Sequence, residues 1–320
     1  MSQELPFEPF FNDPHYQTII SSFFHLLLDP ESEQKIIALM DGDRLSVEIT
    51  TPQEWKPEDL TVVMVHGLCG SHQSPYLIRL VKKLSPKGIR TVRINLRGCG
   101  SGRGLARHIY HGGRSDDLFE VLKVLKKEHP ESPMVILGFS LGGNLVLKLA
   151  GELNRMGPEY LKGLIAISPP VDLYSSIRMI GDPTNAMYER YFYKLLREEV
   201  MYRQRIFKDL PKVHLPKDLK IYEFDQLYLA PTCGFKDAMD YYDKCSAINV
   251  VENIVIPAKI LFAEDDPIIE SSSLDSCHLP SQVQVYKTKK GGHMGYLSSP
   301  TSESGMYWLD GVLVDWISEF

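Results

Sequence analysis

LGFSLGG occupies residues 137–143, a serine with one glycine two places before it and another two places after it. The apolar run PMVIL (133–137) leads into this stretch, and the helix-forming NLVLKLAGEL (144–153) follows it. A serine at the tip of a strand-to-helix turn takes up sparsely populated backbone angles, at a cost of about 1–3 kcal/mol. Glycines two positions away keep side chains out of the sharp bend. The turn exposes the Ser140 hydroxyl at the top of a sheet, with a helix N-terminus behind it that favours negative charge. The bare pentapeptide Gly138–Gly142 is only moderately specific, but a strand before it and a helix after it make Ser140 a nucleophile rather than part of a plain turn.

The chain on either side has the same rhythm. Short apolar runs at 61–66 (TVVMVH), 90–96 (RTVRINL), 161–168 (LKGLIAIS), 257–263 (PAKILFA) and 282–288 (QVQVYKT) read as strands. Helical patterns separate the first of them, SPYLIRLVKKL (74–84) and SDDLFEVLKVLKKE (115–128), and MYWLDGVLVDWISEF (306–320) closes the chain. Such alternation predicts an α/β fold with a mostly parallel sheet covered on both faces. KIIALMDGDRLSVEIT (35–50) alternates around Asp-Gly and predicts an antiparallel hairpin ahead of it. From Asp172 to Ser246 the pattern becomes helical and rich in aromatic residues, with no convincing parallel strand. The expected organisation is a core of 1–171 and 247–320 interrupted by a helical lid, 172–246. Open sheets bind ligands at the carboxyl ends of their strands, so a lid leaving that edge covers the site.

A nucleophilic serine needs a base, and the base needs an orienting group. GGHMGYL (291–297) places His293 among glycines after a strand. ILFAEDDPII (260–269) ends another strand in acids and offers Asp266, with Asp265 read as a solvated neighbour. Asp172, in SPPVDL (168–173), competes for the role of orienting acid, although strand position favours Asp266. The order Ser, Asp, His after successive strand ends is that of α/β-hydrolases. The oxyanion donors expected are the N–H of Leu141, directly after the nucleophile, and that of Leu68 in VHGLCG (65–70).

HYQTI (15–19), HGLCGS (66–71), NLRGCGSG (95–102), YHGGRSDD (110–117), GFSLGGN (138–144), AEDDPI (263–268), GGHMGYL, and GFKDAMDYYDKCSA (234–247) in the lid together resemble the YheT-like branch of the α/β-hydrolase superfamily. The resemblance runs nearly the whole length of the chain. It implies the α/β-hydrolase fold and a serine hydrolase acting on carboxylic esters, with Ser140, Asp266 and His293 as its triad. Some relatives carry a membrane anchor; this chain opens almost at the first motif and is expected to lack one.

Composition narrows the classes further. The 320 residues are 43% hydrophobic and 24% charged, as in ordinary globular proteins. A net charge of −6 argues against a general nucleic-acid binder. Five cysteines without a C-x-x-C pair suit a reducing compartment and outline no zinc framework. The acidic N-terminus lacks the basic region of a signal peptide, and TIISSFFHLLL (18–28) is too short to span a bilayer and reads as an amphipathic helix packed on the domain. The expectation is a soluble cytoplasmic enzyme with no cofactor or metal, acting on a small-molecule ester that is lipid-like or anionic. GCGSGRG (98–104) fails the dinucleotide spacing, His108 and His111 lack a third ligand, and Cys69 and Cys99 read as bystanders.

The span 90–114 holds six arginines and no acid. Two readings are open. Lid acids such as Glu198, Glu199 or Asp209 neutralise it, or Arg103 and Arg107 bind the anionic group of a substrate. Acyl transfer by the same triad, and a non-catalytic binding protein on a hydrolase scaffold, are the rival functions.

Overall fold

The computed structural model describes residues 2–23, 28–302 and 305–320. Its strands are β1 (Gln3–Glu4), β2 (Glu33–Ala38), β3 (Arg44–Thr50), β4 (Thr61–Val65), β5 (Arg90–Asn95), β6 (Met134–Phe139), β7 (Gly163–Ile167), β8 (Ala258–Ala263) and β9 (Val283–Thr288). They form one sheet in the order β1-β9-β8-β7-β6-β4-β5-β3-β2. The pairings from β1 across to β5 are parallel, while β3 runs antiparallel to both β5 and β2. The β2–β3 hairpin closes through Asp41-Gly42-Asp43, where Gly42 takes the left-handed φ of 86° that glycine tolerates best. The edge strand β1 has no counterpart in the sequence reading. Gln3 and Glu4 show no apolar alternation, and backbone pairing with Tyr286 and Lys287 places them in the sheet.

Successive strand residues point to opposite faces, and the core divides accordingly. Val62 and Met64 of β4 join one apolar layer while Val63 and Val65 join the other. In β7, Ile165 and Ile167 lie opposite Leu164 and Ala166. One face is covered by α2 (Pro75–Leu84) through Leu77, Leu80 and Val81. The other is covered by α3 (Ser115–Glu128) and α4 (Leu141–Leu153), the latter buried on nearly every side.

Between β7 and β8 the described chain contains no strand. It holds α5 (Leu173–Ile180), α6 (Ala186–Ile206), a helical stretch at 221–232, and α7 (Ala238–Cys245). The closing helix α8 (Trp308–Ser318) packs Leu309, Leu313 and Ile317 beside α2. Of the apolar stretch 18–28, residues 24–27 lie outside the described residues; its beginning belongs to a helix that starts earlier, at Pro14. Among the described residues no helix is long and apolar enough to cross a membrane.

Arg79 ties α2 to α8 by a two-pronged ion pair with Asp310, at 2.8 and 3.2 Å, and also lies over the Tyr307 ring. Asp310 is almost wholly buried, and that burial pushes its acid up against the opposing pull of Arg79. Removing one partner of a buried pair strands the other charge. Arg79→Ala is therefore expected to lower unfolding stability by about 3 kcal/mol in a denaturant titration, whereas Lys83→Ala, on the same helix, should change it little.

Candidate active site

Ser140 joins β6 to α4 with φ 50° and ψ −121°, a left-handed conformation that serine rarely adopts. The neighbouring glycines permit it. A Cβ on Gly142 would lie 2.5 Å from the Val65 carbonyl oxygen, and one on Gly138 would run into the backbone of Gly142 and Gly143. The elbow therefore depends on the absence of two side chains.

His293 follows β9 and Asp266 follows β8, so both reach the carboxyl edge on which Ser140 stands. His293 Nε2 is 2.9 Å from Ser140 Oγ, and His293 Nδ1 is 2.8 Å from Asp266 Oδ2. A carboxylate only accepts, so Nδ1 carries the proton and Nε2 is free to accept from the serine hydroxyl. The other oxygen of Asp266 accepts the Ile268 and Ile269 N–H groups, at 2.9 and 3.0 Å, which holds the carboxylate in place. Asp172 is elsewhere: it caps α5 by accepting the Tyr174 and Ser175 N–H groups. Asp265 is largely buried rather than solvated, and accepts the Gly292 N–H at 2.9 Å next to the histidine.

The loop carrying His293 depends on the N-terminal helix α1 (Pro14–Phe23). Thr18 Oγ1 accepts the His293 N–H at 2.8 Å, and Gln17 bonds the backbone of Leu297 through both its amide atoms. Met294 and Tyr296, on the same loop, have positive φ without being glycine. Sequence reasoning passed over Thr18 and Gln17, which lie some 275 residues from the loop they brace; the HYQTI motif was the only sign of them.

The loop after β4 is pinned so that one N–H is left over. Gly67 donates to the Tyr76 hydroxyl, Cys69 to the Tyr110 hydroxyl, and Gly70 to the Gly67 carbonyl. Among the described residues the Leu68 N–H has no partner, and neither does that of Leu141. Gly67 lies so close to Ser140 that a Cβ on it would be 3.1 Å from Ser140 Cβ. Ser140 opens onto a cavity walled on the core side by Leu68, Tyr110, Leu141 and Ile269, and by Ile177, Leu196, Ile221 and Leu229 from the segment between β7 and β8. His293 is not on its wall. His111 also lines it, held neutral because burial pulls its pKa down to about 3.

Residues 61–300 match the family model described as alpha/beta hydrolase fold. The chain belongs to that family. It is 29% identical to the Escherichia coli protein YheT over 97% of this chain and 92% of that one. It is 27% identical to the monoacylglycerol lipase of Saccharomyces cerevisiae, over 77% of this chain and 56% of the yeast protein. The yeast medium-chain fatty acid ethyl ester synthase/esterase 2 is likewise 27% identical, over 84% of this chain and 64% of that one. Among solved structures, the Pyrococcus furiosus esterase Pf2001 shares the fold with a TM-score of 0.55 at 17% identity, covering 98% of this chain and 95% of its own.

The arginine run of this hydrolase does not assemble into an anion funnel. Arg107 makes a two-pronged pair with Asp209 at 2.6 and 3.1 Å. Arg103 stacks over Tyr202 and stands 3.5 Å from Glu199. Neither lines the cavity at Ser140, because carboxylates of the inserted segment lie within reach first. Arg97 is buried against Asp117, Asp41 and Asp43, and Arg93 against Asp29. Asp41, Asp43 and His108 lie close enough to hold a metal ion, but Arg97 and the N–H groups of Arg107 and His108 already engage the two acids. Burial keeps the Cys69 thiol protonated, pushed up to about 12, so it is no competing nucleophile.

Glu199 is the odd member of this network. Burial raises its acid from 4.5 to about 7, outweighing Arg103 and Arg203, and one of its oxygens has no partner. Folding then takes up a proton between about pH 4.5 and 7. The stabilisation tied to the neutral form is complete below that window and is lost as pH rises through it. Glutamine mimics the neutral acid at every pH. Glu199→Gln should therefore match the wild type in melting temperature near the acid end of the window and exceed it above; a difference that does not vary with pH would show that Glu199 does not titrate there.

Proposed function

We propose that this hydrolase cleaves carboxylic esters through an acyl-enzyme formed on Ser140, with His293 as general base and Asp266 as its orienting partner. The observation that carries the proposal is the unbroken hydrogen-bonded series Asp266–His293–Ser140, at 2.8 and 2.9 Å, at the mouth of an apolar cavity. The names of the yeast lipase and ester synthase/esterase support ester chemistry.

His293 Nε2 takes the Ser140 proton as Oγ attacks the ester carbonyl. The oxygen that becomes negative meets the free Leu68 and Leu141 N–H groups, which are already aimed and need no rearrangement. His293 then hands the proton to the departing alcohol oxygen, leaving the acyl group on Oγ. Water, deprotonated by His293, releases the acid. Asp266 fixes the tautomer and stabilises the imidazolium formed at each step.

The same proton transfer decides which part of the ester fills the cavity. The alcohol oxygen must sit at His293 Nε2, and the apolar residues that line the cavity with Ser140 suit a hydrocarbon chain. The acyl chain therefore occupies the cavity, and 172–246 acts as the lid that forms its outer wall. An alcohol in place of water would give acyl transfer, the second reading, which the synthase/esterase name of one relative favours.

Ser140→Ala is expected to abolish p-nitrophenyl ester hydrolysis and labelling by a fluorophosphonate probe, with melting temperature preserved or raised. Asp266→Asn should reduce kcat on the order of 10⁴-fold, the scale of the same change in a serine protease triad. Asp172→Asn removes no triad contact and should leave kcat within a few-fold of wild type. A larger loss at Asp172 than at Asp266 would reverse the assignment. Products formed in water with and without added ethanol separate hydrolysis from transfer.

A further inference from the structure

One carboxyl on the wall of the acyl cavity has no part in this mechanism. Asp225 opens a π-turn, Asp225–Leu229, within the helical stretch 221–232, and that turn buries Phe224, Asp225, Tyr228 and Leu229 together. Single π-turns inside helices are rare and are frequently found at functional sites. Asp225 is 4% exposed and lines the same cavity as Ser140. Its Oδ2 accepts the Tyr242 hydroxyl at 2.7 Å, no cation is paired with it, and its Oδ1 has no hydrogen-bond partner among the described residues.

Other polar side chains on this wall each have at least one partner. Tyr241 accepts the Gly112 N–H, Ser176 donates to the Asp172 carbonyl, and His111 accepts the Gly113 N–H. Around them the wall is Ile177, Ile180, Leu196, Ile221 and Leu229. A plain hydrocarbon chain packs against these residues but leaves the free oxygen of Asp225 without a partner.

Resting on the reading that the acyl group fills this cavity, we infer that Asp225 is a specificity-determining residue that hydrogen-bonds a hydroxyl carried on the acyl chain of the substrate. A hydroxyl both donates and accepts, so it suits the carboxylate and the protonated acid alike. Burial raises Asp225 to about 7, so both forms are populated near neutral pH. An ammonium group would fit only the ionised form, which this apolar wall disfavours.

The test compares p-nitrophenyl octanoate with its monohydroxy derivatives, a set of isomers bearing the hydroxyl at successive carbons of the chain, using the protein and its Asp225→Leu, Asp225→Ala and Asp225→Asn variants. Hydrolysis of plain octanoate by the wild type checks the esterase reading on its own. The inference concerns only the ratio between isomers. Wild type is expected to favour at least one hydroxyl isomer about 10-fold in kcat/KM, the scale of one buried hydrogen bond. Asp225→Leu and Asp225→Ala should erase that preference, lowering kcat/KM for the favoured hydroxyl ester more than for octanoate, and Asp225→Asn, whose amide still donates and accepts, should retain it. Probe labelling of Ser140 identifies variants that remain folded. Equal rates for every isomer in wild type would overturn the inference, as would loss of both substrates in equal proportion in the two apolar variants.

Discussion

A methyl group on Gly142 would lie 2.5 Å from the carbonyl oxygen of Val65 and 2.6 Å from that of His66, so α4 can begin where it does only because position 142 has no side chain. That contact between the start of α4 and the end of β4 has three consequences. It compels the bend that holds Ser140 at φ 50°, it brings the loop after β4 against Ser140, and it sets the start of α4, with the unpartnered N–H of Leu141, directly after that serine. Strain of this kind persists only where the surroundings over-determine it. Here they do: β6 lies between β4 and β7, and α4 is buried along nearly its full length.

The other half of the site is held by different means. His293 lies on neither a strand nor a helix; its loop contains glycines and two non-glycine residues at positive φ, and it is braced from outside by Thr18 and Gln17 of α1. The oxyanion loop follows the same logic, with the hydroxyls of Tyr76 and Tyr110 taking the N–H groups on either side of Leu68. Among the described residues the Leu68 N–H is the one in this run that has no partner. Buried polar groups normally find partners, which sets this N–H apart from its neighbours.

The charges of the 90–114 span illustrate a different principle. Six arginines without an acid among them suggest a field directed at a ligand, yet in the fold each meets a partner from another segment. Arg97 meets three aspartates, Arg107 meets Asp209, Arg93 meets Asp29, and Arg90 lies over the Trp55 ring. A guanidinium removed from water needs compensation, and the nearest carboxylate supplies it whatever the separation along the chain. The cavity beside Ser140 is correspondingly free of arginine and bounded mainly by carbon.

Local pattern was enough to specify the sheet, the hairpin, the elbow and the strand ends bearing Asp266 and His293, because each rests on backbone periodicity or on glycine at a tight bend. Ser140 was legible for the same reason: its strain is encoded within five residues. Between Asp266 and Asp172 the residues alone left a choice, since both follow strands; in the folded structure one oxygen of Asp172 caps a helix, whereas one oxygen of Asp266 meets His293 and the other accepts two backbone N–H groups. The pairing of β1, the bracing of His293 by α1, the neutralisation of the arginines and the place of Asp225 on the cavity wall all depended on the folded structure. Each joins residues far apart in the chain through contacts that carry no local periodicity, so only the folded arrangement brings the partners within bonding distance.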